Sequence, residues 1–295
     1  MRALNYLLYY GFIIPLSLLP FRVLYIISDG LYFLFYYVIR YRKEVVATNI
    51  KNSFPTKTDE EIEFITKRFY AHFCDLVLES LKIFTISEKD AKKRMCFKNP
   101  ELLNRFAQQH KSVIIMGGHS NNWEMLAVTV AGAMKHKAQA IYKPLSSLFF
   151  DKRMRATRGK FGLHMISTKK AKEYFEEEKG NLSATIFGID QSPGNPEKCY
   201  WTTFLNQDTG VLFGAEKFAK EYNYAVVYGR INKESRGYYS FEFLDITDSP
   251  QQTNHGEITE KATRMIETDI IANPQYWLWT HKRWKHKRPK TVGSN

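Results

Sequence analysis

The sequence predicts an α/β fold: a mixed, largely parallel sheet covered by helices on both faces, with an N-terminal membrane-anchoring helical segment. Three observations predict it. Apolar runs of strand length alternate with helical patterns from residue 112 onward, an order typical of α/β proteins. The first of these runs is apolar from Val113 to Met116, as expected for a strand buried on both faces. The first 39 residues are almost uncharged, and a length of 295 residues suits one α/β domain with an appendage.

The N-terminal segment is apolar enough to predict attachment to a membrane. Between residues 3 and 39 the only charged residues are Arg22 and Asp29. Two apolar stretches flank Pro20, and each is slightly shorter than the roughly 20 residues that cross a bilayer. Because a charge inside lipid is costly, we expect Asp29 to face Arg22, a protein surface or water. Basic residues follow and predict a cytoplasmic flank: Arg40, Arg42 and Lys43.

Three interpretations of this segment compete. A cleaved signal peptide is disfavoured, since the segment has neither a distinct basic start nor a small-residue cleavage site. Buried core helices remain open on grounds of length. An uncleaved anchor, either one tilted span or a re-entrant hairpin, is the interpretation we adopt, with residues 1–43 as the anchor and residues 44–295 as the folded domain.

The folded domain begins with predicted helices. Thr58 and Glu61 form a capping box, in which each side chain can bind a free backbone N–H of the other residue. Shorter helices are predicted from Ser87 and from Pro100, since proline favours a first helical position. After the capping box, apolar residues recur at helical spacing: Ile62, Ile65, Phe69, Phe73, Leu76, Val77 and Leu81.

Strands and helices then alternate to the end of the chain. Strands are predicted at residues 112–116, 138–142, 163–167, 182–190, 224–230 and 238–245. Helices are predicted at residues 122–133, 147–160, 169–178, 210–222 and 258–272. The last two strands are expected to pair as a hairpin around residues 233–237.

Composition limits the partners of the protein. The formal net charge of +13 predicts acidic partners, which are nucleic acid, an anionic membrane or an acidic carrier protein. The three cysteines, Cys74, Cys96 and Cys199, form neither a metal-binding pattern nor a disulfide framework. This cysteine usage predicts a reducing compartment, and we expect no metal ion and no cofactor.

Residues 117–124 carry the clearest chemical signal, because they join the end of a buried strand to the start of a helix. Open α/β sheets bind ligands at this edge, and Gly117-Gly118 allows a sharp turn there. We expect His119, at the mouth of the strand, to meet Glu124 in the first turn of the helix. The carboxylate would then fix the imidazole tautomer while His119 deprotonates an alcohol. The competing interpretation is a surface histidine beside a helix whose dipole favours Glu124.

The same residues resemble a known family. Residues 118–124, Gly-His-Ser-Asn-Asn-Trp-Glu, are similar to the His-x4-Asp/Glu motif of the bacterial lipid A biosynthesis acyltransferases. These are late, lauroyl- or myristoyl-transferase-like enzymes of the lysophospholipid acyltransferase superfamily. The sequence departs from the family pattern at residues 204–206, which lack the usual glycine, and at Glu216, where a small residue is common. Further segments resemble the family in the same order along the chain: 49–55, 158–162, 190–191, 204–210 and 274–284.

The resemblance implies a reaction and a location. A fatty acyl chain would pass from acyl carrier protein, or from acyl-coenzyme A, to a hydroxyl of a lipid A precursor, with His119 and Glu124 as the general-base dyad. The enzyme would lie at the bacterial inner membrane, with its catalytic domain on the cytoplasmic side. The same chemistry on another membrane lipid, such as a glycerolipid, an aminolipid or a glycolipid, stays open.

Four further residues are expected to bind substrate: Arg158, Asp190, Asn122 and Lys143. The planar guanidinium of Arg158 suits a phosphate of the acceptor lipid or of the carrier's phosphopantetheine. The alternative for Arg158 is a solvated helix face, since other basic residues crowd the same helix. Asp190 either orders the site through hydrogen bonds or caps the turn that follows it.

A remote alternative from a different class is a membrane-tethered nucleic-acid-binding module. Charge and aromatic content suggest it. The basic residues are scattered, however, and the sequence contains no recognition motif for nucleic acid. We therefore expect no nucleic-acid partner.

Overall fold

The computed structural model describes residues 2–289 and shows a seven-stranded sheet with helices on both faces. The sheet has the order β1-β9-β8-β2-β5-β3-β4, and its strands are β1 (Met95–Phe97), β2 (Val113–Gly117), β3 (Lys137–Tyr142), β4 (His164–Ser167), β5 (Ser183–Gly188), β8 (Ala225–Ser235) and β9 (Tyr238–Thr247). Neighbouring strands in it are parallel except β8 and β9, which form the predicted antiparallel hairpin. The predicted mixed, largely parallel sheet is confirmed.

Helices occupy most of the remaining described chain. The α-helices are α1 (Arg2–Leu8), α2 (Ile14–Leu18), α3 (Phe21–Phe33), α4 (Lys43–Ser53), α5 (Asp59–Lys82), α6 (Glu88–Arg94), α7 (Glu101–Gln108), α8 (Trp123–Ala127), α9 (Leu148–Gly159), α10 (Ala171–Glu177), α11 (Gly214–Tyr222) and α12 (Glu257–Ala272). The capping box of α5 is confirmed, since the Glu61 backbone N–H donates to Thr58 Oγ1 at 3.2 Å. In return, the Thr58 backbone N–H donates to Glu61 Oε2 at 2.9 Å.

Three strands were not predicted, and two predicted helices were too long. The helix predicted at residues 122–133 is interrupted, because α8 ends at Ala127 and a 3-10 turn follows at Val130–Ala133. Strand β1 is three residues long, and β6 (Cys199–Phe204) pairs only with β7 (Gln207–Leu212) in a separate antiparallel hairpin. Strand β1 is too short to stand out in the sequence, whereas β6 and β7 mix polar and apolar residues and so lack the apolar run of a buried strand. The helix predicted at residues 210–222 therefore begins only at Gly214, after β7 has ended.

Strand β2 lies at the centre of the core. Alternate side chains of a strand point to opposite faces of its sheet. Accordingly, Ile114 and Met116 pack with α12 and the C-terminal tryptophans, whereas Val113 and Ile115 pack with α7 and α8. Both faces of β2 are thus covered. Residues that could reach a ligand must therefore lie at an end of the strand, and the loop of residues 118–122 follows its carboxyl end.

The apolar N-terminal segment is helical and rests against the folded domain. The stretch Phe21–Val38 is long and apolar enough to cross a membrane by length and composition. It packs on α5, and of its side chains Leu24, Ser28 and Tyr36 are buried. Its outward side chains are large and apolar, and those exposed include Val23, Ile26, Phe33, Leu34, Tyr37 and Val38.

Polar contacts hold this segment on the domain. Ser28 Oγ donates to Asp75 Oδ1 at 2.8 Å, and Arg236 Nη2 donates to Asp29 Oδ1 at 2.6 Å. Asp29 therefore faces a protein surface, one of the three environments expected for it. The segment buries Leu24, Ser28 and Tyr36 on the domain and leaves large apolar side chains outward, whereas the outward face of a helix on a water-soluble protein is polar.

Candidate active site

Two neighbouring parallel strands, β2 and β5, end at the same level and bring their following residues together. Gly117 of β2 is in register with Gly188 of β5. A Cβ added to Gly188 would lie 2.7 Å from Cε1 of His119, so only glycine lets the imidazole pack this closely on β5. Gly188 therefore leaves the space beside β5 that the His119 ring occupies.

Asp190, two residues after the end of β5, is the carboxylate that contacts His119. Its Oδ1 lies 2.6 Å from His119 Nδ1. Its Oδ2 accepts hydrogen bonds from the His119 backbone N–H at 2.6 Å and from Trp277 Nε1 at 2.7 Å. Because an ionised carboxylate only accepts hydrogen bonds, the network assigns the proton to Nδ1 and leaves the Nε2 lone pair free.

The pKa values of the pair reflect burial and mutual attraction. Burial lowers the pKa of His119, but the charge and hydrogen bond of Asp190 raise it more, so the net result is a pKa above the ordinary value. Burial raises the pKa of Asp190, whereas His119 and the hydrogen bonds lower it to about 2. Asp190 therefore stays ionised at every pH at which His119 titrates.

Glu124 binds Arg158 rather than the imidazole. Arg158 Nε donates to Glu124 Oε2 at 2.8 Å, and Arg158 Nη2 donates to Glu124 Oε1 at 2.5 Å. This is a two-pronged pair between α8 and α9, with the Glu124 side chain only 9% exposed. The contact expected between His119 and Glu124 is not among the hydrogen bonds of residues 2–289. Glu124 nevertheless lies close enough for its charge to raise the pKa of His119.

Asn122 uses its side chain to hold the loop. Its Oδ1 accepts the Met125 backbone N–H at 2.7 Å and so caps α8, while its Nδ2 donates to Glu79 Oε2 at 2.6 Å. Asn122 is 1% exposed, and its predicted contact with substrate stays a prediction. Lys143 is exposed after β3 and makes no hydrogen bond or ion pair within the described chain, and its predicted contact with substrate also stays a prediction.

Glu79 is a site residue that sequence reasoning missed. This carboxylate on α5 is 1% exposed and accepts hydrogen bonds from Asn122, from Tyr25 of α3 at 2.8 Å and from Tyr239 of β9 at 2.7 Å. Burial raises the pKa of Glu79 above its ordinary value. An acidic residue on the apolar face of α5, three residues after Leu76, was the signal that could have revealed it.

The C-terminal segment closes the site from the other side. The Asn121 backbone N–H donates to the Tyr276 carbonyl at 2.9 Å, next to an isolated bridge between Ser120 and Trp277. Asn49 Nδ2 donates to the carbonyls of Trp279 and His281, at 2.9 and 3.1 Å. Segments that lie more than 200 residues apart in sequence thus meet around the loop of His119.

The chain matches the bacterial lipid A biosynthesis acyltransferase family over residues 1–286. It belongs to that family. A relative from Haemophilus influenzae (strain ATCC 51907 / DSM 11121 / KW20 / Rd), named lipid A biosynthesis acyltransferase, is 23% identical over 283 residues. That match covers 91% of this chain and 83% of the relative. Family membership supports an O-acyltransferase that acts in lipid A biosynthesis.

Within the described residues no group of three histidine, cysteine or acidic side chains could hold a metal ion. The three cysteines are free, and they lie in different environments: Cys74 is buried, Cys96 is exposed and Cys199 is half-buried. The ionisable groups described at the site are the imidazole of His119, the carboxylates of Asp190, Glu124 and Glu79, and the guanidinium of Arg158.

Proposed function

We propose that this acyltransferase moves a fatty acyl chain from acyl carrier protein to a hydroxyl of a lipid A precursor, with His119 as the general base. The observation that carries the proposal is the hydrogen bond of 2.6 Å between His119 Nδ1 and buried Asp190. This bond holds the ring in one tautomer and directs the Nε2 lone pair away from the carboxylate. The His119 side chain is 24% exposed, so Nε2 remains open to substrate.

The proposed reaction needs one proton transfer in each direction. His119 Nε2 takes the proton of the acceptor hydroxyl, and the oxygen attacks the thioester carbonyl carbon. The charge of Asp190 stabilises the imidazolium that forms. The tetrahedral intermediate then collapses, its C–S bond breaks, and the imidazolium returns the proton to the departing thiolate.

The pair of Glu124 and Arg158 supports this chemistry through its charges. In the proposal Glu124 contributes its negative charge to the imidazolium, as its effect on the pKa of His119 supports. Arg158 uses two of its five N–H groups on Glu124, which leaves three for a phosphate of the acceptor or of phosphopantetheine. The two expected roles of this pair, charge near the base and phosphate binding, are therefore compatible.

The oxyanion of the intermediate requires donors that are not already engaged. The backbone N–H groups of His119 and Asn121 are bonded to Asp190 and to Tyr276. These two N–H groups are therefore unsuitable as oxyanion donors. Because the guanidinium stays charged at all working pH values, the unused N–H groups of Arg158 are the alternative oxyanion donors, a role that competes with phosphate binding.

Three observations support acyl carrier protein as donor, a lipid A precursor as acceptor and the inner membrane as location: the net charge, the exposed apolar face of the N-terminal segment and the family. A net charge of +13 attracts both an acidic carrier and an anionic glycolipid. The outward apolar face of the Phe21–Val38 helix suits a bilayer, with residues 44–295 as the catalytic domain on the cytoplasmic side. Coenzyme A as donor, or another membrane lipid as acceptor, would leave the roles of His119 and Asp190 unchanged.

The test is a transfer assay with the purified full chain. Acyl carrier thioester and acyl-coenzyme A are each offered with a lipid A precursor and with a glycerolipid acceptor, and products are identified by mass spectrometry. We expect transfer from carrier to the lipid A precursor, reduced by ~10²–10⁴ in His119→Ala because general-base help is lost. His164→Ala, an exposed histidine on edge strand β4, is the control and should keep wild-type turnover. Retention of turnover in His119→Ala would refute the role of His119.

A further inference from the structure

The turn that leads into α9 exposes apolar side chains that the fold does not use. Leu148, the first residue of α9, is 85% exposed, the highest value among the exposed large hydrophobic side chains of the described chain. Leu145, three residues before it, is 47% exposed. Beyond residue 41, the other large hydrophobic side chains that are exposed in the described part are Phe64, Tyr238 and Ile271.

This turn is held in place, so the exposure of its leucines is built into the fold. The Leu145 backbone N–H donates to Asp151 Oδ1 at 2.9 Å. Arg155 Nε donates to the second oxygen of Asp151, also at 2.9 Å. Ser147 Oγ accepts the Phe150 backbone N–H at 3.5 Å at the start of α9. Two side chains thus fix the backbone that presents Leu145 and Leu148.

The turn adjoins the apolar N-terminal helices. The Phe149 ring lies 4.9 Å from the Tyr6 ring and 5.6 Å from the Tyr9 ring, measured between centroids. Arg153 Nη2 donates to the Tyr10 hydroxyl at 2.6 Å. The N-terminal helices that this turn contacts carry further exposed apolar side chains: Leu4, Leu7, Leu8 and Phe12.

Cations surround the exposed leucines. Lys143 and Lys152 are both exposed, and neither has an ion-pair partner in the part of the chain that the structure describes. Arg155 is also exposed, although one of its nitrogens binds Asp151. Apolar tips ringed by lysine and arginine match the interface of an anionic bilayer, where acyl chains lie directly below phosphate groups.

We propose that Leu145 and Leu148 form a second membrane contact, in which both leucines enter the headgroup–acyl boundary of an anionic bilayer while Lys143 and Lys152 meet lipid phosphates. The proposal rests on the proposed function only in placing the enzyme at a bilayer. Helix α9 rises about 1.5 Å per residue, so Arg158 lies about 15 Å from Leu148 along the helix. Seating the start of α9 on the membrane therefore sets the height of the Glu124–Arg158 pair above the lipid.

Hydrogen exchange of the full chain in lipid nanodiscs tests the contact without any need for turnover. The first-turn amides of α9 lack intrahelical acceptors, so their exchange reports on shielding by lipid. In discs that contain phosphatidylglycerol, we expect exchange at residues 145–150 to be about tenfold slower in the wild type than in a Leu145→Ser/Leu148→Ser variant, since a buried leucine shifts such an equilibrium by about this factor. Equal exchange in the two proteins would overturn the proposal.

A kinetic measurement shows whether Leu145 and Leu148 contact the membrane or the carrier protein. Leu148→Ser should lower kcat/KM for acceptor in bilayers by about threefold to tenfold and leave the value for micellar acceptor unchanged. Ile271→Ser, which removes a side chain 58% exposed on α12, is the matched control and should change neither value. A raised KM for the carrier thioester with micellar acceptor would assign the leucines to carrier docking and overturn the proposal. Loss of all transfer activity would count against the proposed function, while the exchange result would still decide on the membrane contact.

Discussion

Two carboxylates lie near His119, and they are held in different ways. Asp190 follows strand β5, is 2% exposed in its side chain and binds the imidazole directly. Glu124 lies on α8, is 9% exposed in its side chain and binds a guanidinium from α9. Strand ends and helices thus contribute one carboxylate each, but only the strand-end carboxylate orients the ring.

The difference shows that a short motif can contain the reacting group without containing its partner. Residues 119–124 bring His119 and Glu124 to one turn, yet Asp190 lies 71 residues from His119 in sequence. The charge of Asp190 acts on the imidazole through a hydrogen bond. The charge of Glu124 is already balanced by Arg158, so its effect on the ring is weaker.

The largest decrease in kcat is expected for Asp190→Asn. An asparagine can hold the ring in the wrong tautomer and cannot stabilise the imidazolium, so we expect kcat to fall by ~10²–10⁴. The measurement is single-turnover acyl transfer at saturating acceptor. A decrease smaller than that of Glu124→Gln would reverse the comparison between the two carboxylates.

The pH dependence of Asp190→Asn gives an independent check. In the wild type, His119 must be neutral to act as base, so kcat/KM should rise with pH through a pKa that Asp190 holds above the ordinary histidine value. Without the charge of Asp190 the pKa falls, because burial then dominates. The acidic limb of the profile should therefore move to lower pH in the variant, and an unmoved limb would show that Asp190 does not act on the titrating group.

Glu124→Gln should lower kcat less than Asp190→Asn does. The amide preserves one hydrogen bond to Arg158 but removes the negative charge, so we expect kcat to fall by about tenfold to a hundredfold. Its acidic limb should shift in the same direction as that of Asp190→Asn, but less, since Glu124 contributes less to the pKa of His119. A thermal unfolding midpoint close to wild type serves as the control for folding.

Sequence reasoning found the site's residues more readily than their pairings. The buried strand at residues 112–116 and the turn after it were predicted within one residue of β2. Family resemblance singled out Arg158, Asp190 and the C-terminal segment. None of these signals specifies which side chains touch, because contacts across strands β2 and β5 depend on register, which local spacing does not record.

Smaller elements were missed for a different reason. Strand β6 has no continuous apolar run, because it contains Thr202 and Thr203. It pairs outside the main sheet. Buried Glu79 breaks the rule that an apolar helix face stays apolar, and only its three donors explain it. Both features depend on tertiary partners that propensity and periodicity do not describe.

Arg158→Lys should affect binding more than chemistry. A lysine keeps a positive charge beside Glu124 but cannot form the planar two-pronged contact. If the remaining N–H groups bind phosphate, KM for the phosphorylated partner should rise by about tenfold, with a smaller change in kcat. Acceptors with and without phosphate, and both carrier and coenzyme A donors, identify that partner. A decrease in kcat with all four substrates and unchanged KM would instead place Arg158 at the oxyanion.

We expect the smallest effect, a modest loss of stability, for Tyr25→Phe. This variant tests how the N-terminal segment is connected to the site. The Tyr25 hydroxyl donates to Glu79 Oε1, while the other oxygen of Glu79 holds Asn122 and Tyr239. Removing one such hydrogen bond should cost about 1 kcal/mol of the free energy of unfolding. Tyr239→Phe is the matched control, because it removes a bond to the same carboxylate from β9 rather than from α3.

Thermal unfolding should show similar decreases in Tm for the two variants, whereas hydrogen exchange should separate them. In Tyr25→Phe the amides of α3 should exchange faster, since one of the polar contacts that hold α3 on the rest of the protein is gone, while those of Ser28 with Asp75 and of Asp29 with Arg236 remain. In Tyr239→Phe the exchange of α3 should stay as in the wild type. Faster exchange of α3 in both variants would mean that Glu79 connects the N-terminal segment with the sheet as one unit, and the distinction between anchor and catalytic domain at residue 43 would have to be abandoned.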